Sequence, residues 1–276
     1  MALIISIIVI LTGVYGYYAR SLGNALFVLF VIIMIPLATT ELGTDSWITP
    51  LMEPELAKLG IAPLWILVYT SAIMTILRFY AGPIVHKLSP LGLLATCATI
   101  AAVGLIFLSK ANGLIILVAA TLYGIGKTFF WPTTLGIVAE RFPKGGALTL
   151  NGVSAVGMLG VGIIGAAFLG NIQDKTIDKN IAMYDQTNGT ILHTSYVTKE
   201  KTGIFGTYNA LDSDQLADAP DQDLDTIGKI QEQAKKQALS TVAIFPVFML
   251  LCYIGLILYF RSKGGYKPIE LEMQGS

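Results

Sequence analysis

Charge is what this sequence has least of: Asp, Glu, Lys and Arg make up 13% of its 276 residues, against 54% hydrophobic residues and a mean hydropathy of +0.68. So little charge cannot clothe a soluble globule, and the composition is that of a membrane protein. Neither sign is in excess, since 18 basic residues balance 18 acidic ones. That balance removes the basic surplus of a nucleic-acid binder and the acidic surplus of a disordered chain, so no nucleic-acid partner is expected. Only two cysteines occur, Cys97 and Cys252, each inside an apolar run. They exclude a disulfide framework and a zinc knuckle, and two buried thiols are expected. Histidine is equally scarce, with His86 and His193 alone. No HExxH, DxxxD or Ser/His/Asp set lies within the apolar runs, so neither an enzyme nor a bound metal or other cofactor is expected.

What is present is a succession of apolar runs near the roughly 20 residues that a helix needs to cross about 30 Å of hydrocarbon. Seven are read, at 2–18, 24–50, 62–85, 91–109, 113–138, 148–170 and 238–260. They are long and lack a period of two, so they are helices rather than barrel strands. The expected fold is all-α, a polytopic bundle of seven transmembrane helices in a lipid bilayer. Residues 1–20 supply a helix and short loop, 21–170 five helices, 171–237 a long extracytoplasmic polar loop, and 238–276 the last helix and a cytoplasmic tail. The first run lacks a basic start and a small-residue cleavage site, and reads as a retained span. The stretch Asp223 to Ala238 is rich in helix formers, so the last helix is expected to begin outside the bilayer. Arg20, Lys87, Arg141, Lys144, Arg261, Lys263 and Lys267 fall on one side and only Lys58 and Lys110 in the short loops of the other. The positive-inside rule then puts the N-terminus outside and the C-terminus in the cytoplasm, in a plasma (inner) membrane.

Ionisable residues inside spans are costly and are functional candidates by default. Glu41 and Asp45 are spaced i, i+4, on one helical face. Two nearby carboxylates cannot both ionise cheaply in a dry interior, which makes the pair a candidate for proton coupling; the alternative is a hydrated helix end. Pro36, one turn earlier, can kink that helix. Lys127 lies about 16 Å from the inner end of its span, too far to snorkel. With Tyr123, Trp131 and Thr134 on the same face it makes a wall suited to a polar solute; the alternative is an ion pair with Glu41 or Asp45. Arg78 is closer to its span end and reads as a local anchor. Gly162, Ala166 and Gly170, at i, i+4 and i+8, form a smooth stripe for helix packing, and the fourth span is similarly small-sided.

The segment Arg78-Phe-Tyr-Ala-Gly82-Pro-Ile-Val-His86-Lys87-Leu-Ser89-Pro90 resembles the loop motif of the major facilitator superfamily, which runs Gly, three residues, Asp, Arg or Lys, one residue, Gly. Gly82 and Lys87 match; His86 stands at the acidic position and Ser89 at the second glycine. Ala139-Glu140-Arg141-Phe142-Pro143 is similar to the family's acidic-basic-aromatic-Pro turn, and Gly126-Lys127-Thr-Phe-Phe-Trp131-Pro132 and Glu41-Leu-Gly-Thr-Asp45-Ser-Trp47 resemble sugar and organic-solute members. The resemblance implies that the seven spans correspond to helices six to twelve of a twelve-helix transporter, whose missing N-terminal half would be a partner. It further implies alternating access to a small-molecule solute, a sugar or organic ion, with Lys127 and Trp131 in the site and Arg78, Gly82, His86 and Lys87 in a conformational motif. Proton symport, sodium coupling and facilitated diffusion stay open. So does a non-transport protein, either a structural anchor or a seven-helix receptor-like protein.

Overall fold

A computed structural model describes residues 24–269, apart from 46–47, 50–52, 54–55 and 58–59. The expected first span 2–18 with Arg20, and the side chain of His86, lie outside the described residues. The described chain is all-α but for one hairpin. In order it comprises α1 (Ala25–Ala38) with a π-helical turn (Thr39–Gly43), α2 (Trp65–Phe79), α3 (Ala81–Leu88), α4 (Pro90–Lys110), α5 (Ile115–Lys127), α6 (Phe130–Arg141) and α7 (Gly146–Leu159). A second π-helical segment (Gly160–Gly165) leads into α8 (Ala166–Asn188), followed by α9 (Leu192–Tyr196), the antiparallel strands β1 (Lys199–Gly203) and β2 (Gly206–Ala210), α10 (Ser213–Ala217), α11 (Asp221–Val242) and α12 (Ile244–Ser262).

Among the described residues five helical stretches are long and apolar enough to cross a membrane: Ala25–Gly43, Pro90–Lys110, Ile115–Arg141, Pro143–Asn188 and Asp221–Ser262. The expected span 62–85 is instead two helices broken at Tyr80, and α2 with its 15 residues reaches only about 22 Å. Pro83 explains the break: it has no N–H to give to the preceding turn, yet sits without penalty in the first turn of the new helix. Ser89 starts α4 by accepting the N–H of Gly92 at 3.3 Å, with Pro90 at the first helical position.

The main core lies among α1, α4, α5 and α12, around Phe30, Met34, Leu94, Leu105, Tyr123 and Tyr253. Helices α4 and α5 touch backbone to backbone, since a Cβ added at Gly104 would lie 2.8 Å from Tyr123 Cα. The small face expected on the fourth span is there, with Ala98, Ala101 and Ala102 buried. Cys97 is buried as expected, but Cys252 is only half-buried because it sits on the outer flank of α12.

The segment 171–237 is not a plain loop. The helical stretches that end in α8 and begin with α11 are 46 and 42 residues long, beyond membrane length, and a second core holds α8 and α11 together through Ile177, Ile181, Leu192, Tyr196, Ile227 and Ile230. Ile177 and Ile181 are one turn apart, which is why polar α8 still has an apolar stripe. At this stalk end, Lys236 Nζ donates to Asn112 in the α4–α5 turn at 2.8 Å. At the opposite end, Arg141 Nη1 donates to the carbonyl of Lys267 at 2.7 Å, and Tyr266 OH to Glu140 at 2.5 Å. The turns thus segregate cleanly to two ends.

The packing stripe on α7–α8 differs from Gly162, Ala166 and Gly170. Gly162 and Ala166 are exposed, and a Cβ at Gly162 or Gly170 would meet open space. Gly157, Gly160 and Gly165 make the contact instead, their added Cβ atoms falling 2.9 Å from Met34, 3.0 Å from Ile35 and 2.8 Å from Thr39. The π-helical segment is the cause: its wider turn shifts the inward face by one residue, so the stripe runs 157, 160, 165 rather than at i+4.

Candidate functional site

The π-helical turn of α1 carries Glu41 and frees backbone groups. Pro36 withholds an N–H, while Thr39 and Thr40 turn their hydroxyls back to the carbonyls of Ile35 and Pro36 at 2.9 and 2.7 Å. Beyond them the carbonyls of Thr40 and Glu41 accept from other helices: Tyr123 OH donates to the first and Lys127 Nζ, at 3.1 Å, to the second.

A matching break separates α5 from α6. Pro132 cannot donate to the carbonyl of Thr128 four residues earlier, so that carbonyl is open. Arg78 Nε fills it at 2.9 Å. The N–H of Trp131, also released, donates to Glu41 Oε2 at 3.1 Å. Two helix interruptions therefore face each other, and each supplies the backbone partner that the other's side chains need.

Four charges close the site. Arg78 Nη2 pairs with Glu41 Oε1 at 3.1 Å, and Lys127 Nζ pairs with Asp45 Oδ1. Two cations and two anions cancel, which lets all four remain in a low-dielectric interior. Glu41 and Lys127 are the dry members, their side chains 6% and 1% exposed, while Asp45 and Arg78 at the flanks are 33% and 42% exposed. Tyr123 hydrogen bonds with Thr44 at 2.6 Å, and its ring lies 5.5 Å from the Lys127 ammonium, a cation–π contact. Thr128 is the central residue of the 27-residue stretch Ile115–Arg141, so the site lies at mid-depth.

The structure thus brings together Glu41, Asp45, Arg78, Lys127, Tyr123 and the backbone of Trp131, but in different roles from those expected. Tyr123, Lys127 and Thr134 do not form an open wall: each is at most 1% exposed, and Trp131 packs its ring edge against Gly157. The ion-pair alternative for Lys127 is the arrangement found, because α1 presents a carboxylate at the same depth. Glu41 and Asp45 do not share a proton-binding position, since each faces its own cation. Thr134 points elsewhere, its buried hydroxyl facing that of Tyr253. Gly82 offers no close helix approach, a Cβ there meeting open space, and Lys87 is exposed and free of ion pairs among the described residues. Both lie on the outer side of α3, which packs against the core through Ala81 and Ile84 instead.

Thr40, Thr44 and the Thr128 carbonyl were not foreseen. Pro132, five residues after a buried lysine, was the available signal. Among the described residues no cluster of His, Cys, Asp and Glu is arranged to hold a metal ion. Comparison with protein-family models, with curated proteins and with solved structures finds no match to the chain.

Proposed function

We propose that the chain is part of a secondary transporter that moves a small polar solute by alternating access. The observation that carries this reading is the neutral quartet Glu41, Arg78, Asp45 and Lys127 at mid-span. A structural anchor has no need of four ionisable groups at the depth where each is most costly. In a transporter they are a switch: a solute or proton that satisfies one member releases its partner, and the released pair no longer ties α1 to α2 and α5. The break at Thr128–Phe129 is the hinge about which α6 would then turn. The contact between the two π-helical segments, glycine-lined on one side, supports a second sliding surface.

The likeness of residues 78–90 to the major facilitator loop gains support from Ser89, whose φ of +59° is a conformation that favours the glycine found there in that family. We place the end carrying Lys87, Arg141, Lys144, Arg261, Lys263 and Lys267 in the cytoplasm, and the stalk outside a plasma (inner) membrane. Proton coupling would act through Glu41 or Asp45.

The test is solute-driven current from the complete transporter, this chain together with the N-terminal half that the reading implies, reconstituted in proteoliposomes on a solid-supported membrane, with jumps of glucose, alanine, lactate and phosphate. A current for one solute that Asp45→Asn removes is expected. Silence for every solute, with protein shown to be inserted and folded, would defeat the transport reading.

A further inference from the structure

Arg78 has a solvation problem that the bundle itself leaves unsolved. Its Nε is bonded to the central carbonyl of a 27-residue span, so the guanidinium lies about 20 Å from either end. An arginine stem is far too short to snorkel over that distance. Yet the side chain is 42% exposed, and with Nε given to Thr128 and Nη2 to Glu41, Nη1 has no partner among the described residues. A half-satisfied cation facing hydrocarbon at mid-depth is among the costliest arrangements in a bilayer, so this face meets something polar.

Beside it lies a crevice of about 330 Å³ lined by Arg78, Phe129, Pro132, Thr133, Gly136 and Glu140. That is the size of a small-molecule site. We propose that this crevice binds a small monocarboxylate whose carboxylate completes the Arg78 guanidinium through Nη1. The inference rests on the transport reading and narrows its solute class. A guanidinium edge takes a planar carboxylate through two parallel hydrogen bonds. Apart from the two charged groups, the lining side chains offer only the Thr133 hydroxyl, too few polar groups for a sugar. Phe129, Pro132 and Ile137 suit a short apolar body. The Glu41 carboxylate, 3.1 Å from Nη2, repels a dianion such as phosphate more strongly than a monoanion. Glu140 is held by Tyr266 and does not compete for the guanidinium. A bound carboxylate would draw Arg78 away from Glu41, weakening the tie between α2 and α1.

Phenylglyoxal, which labels water-accessible arginines, tests this on the full chain in nanodiscs, with each arginine read by peptide mass spectrometry. Arg78 should be labelled, and lactate or benzoate at twice its dissociation constant should slow labelling about threefold. Glucose should not protect. An unlabelled Arg78 beside labelled Arg141 and Arg261 would overturn the proposal, as would labelling that no carboxylate slows; protection by phosphate alone would reject the carboxylate. Protection without solute current leaves the site standing and removes transport. Lactate current without protection does the reverse.

Discussion

Neutralising the two members of the Lys127–Asp45 pair should have unequal effects, because Lys127 is 1% exposed and Asp45 33%. Asp45→Asn keeps an acceptor oxygen but takes away the paired charge, leaving a buried ammonium with the Glu41 carbonyl at 3.1 Å, the Tyr123 ring and the more distant Glu41 carboxylate for partial compensation. An uncompensated buried charge costs about 3–5 kcal/mol. At about 2–4 °C per kcal/mol for a chain of this size, the melting temperature should fall by about 6–20 °C. Lys127→Met leaves a carboxylate that water can still reach, at a cost of about 1–2 kcal/mol. The double variant Asp45→Asn/Lys127→Met removes both charges, keeps the side-chain volume, and should lie within about 1 kcal/mol of wild type. Thermal unfolding of the four proteins in one detergent, followed by tryptophan fluorescence, reads these differences. If Lys127→Met is as damaging as Asp45→Asn, or the double variant is as damaged as the two single losses summed, the pair is not the buried, coupled unit described.

The π-shifted stripe predicts that Gly165→Ala, whose Cβ would sit 2.8 Å from Thr39 Oγ1, destabilises by about 1–3 kcal/mol, while Gly162→Ala costs nothing, checked by the same melts. Ser89→Gly should stabilise by about 1 kcal/mol, since relief of φ +59° outweighs the few tenths lost with the cap; Ser89→Ala, which loses the cap and keeps the strain, should destabilise. In the stalk, desolvation pushes the Asp185 carboxyl up, but hydrogen bonds from Thr190 and the N–H groups of His193 and Leu192, with the charge of His193, outweigh it and hold it below the usual carboxylate range. The stability it contributes is therefore complete above the unfolded value of about 4 and is lost as pH falls from there through the lowered native value. Hydrogen exchange at Leu192 and His193 should show protection collapsing over that window in wild type and already weak at neutral pH in Asp185→Asn.

The apolar runs were legible because transfer into hydrocarbon depends on roughly 20 consecutive residues and on no distant partner. Of the six expected runs that fall on described residues, five emerge as helices of membrane length. The run at 62–85 emerges broken because a hydropathy average registers Gly82-Pro83 as two small residues rather than as a missing hydrogen-bond donor. The stalk was read as a loop for a related reason: its apolar stripes are thin, and α8 and α11 need each other to bury them.

Glu41, Asp45, Arg78 and Lys127 could each be singled out from sequence alone, since a charge in an apolar run is conspicuous without knowledge of its neighbours. Their pairing could not. Whether Lys127 meets water, a solute or Asp45 depends on the depth and rotation of α1 against α5, and those are set by the π-helical turn at Thr39–Gly43 and the break before Pro132. The same holds for the glycine stripe, where one wide turn moved the contact from Gly162 to Gly160 and Gly165. Hydrophobicity and charge are properties of residues, so the sequence by itself determined that this chain forms helices apolar enough for a membrane and which groups would be expensive there. Pairing and helix facing are properties of relative position, which a shift of one residue in a turn reverses, and only the tertiary structure decided them.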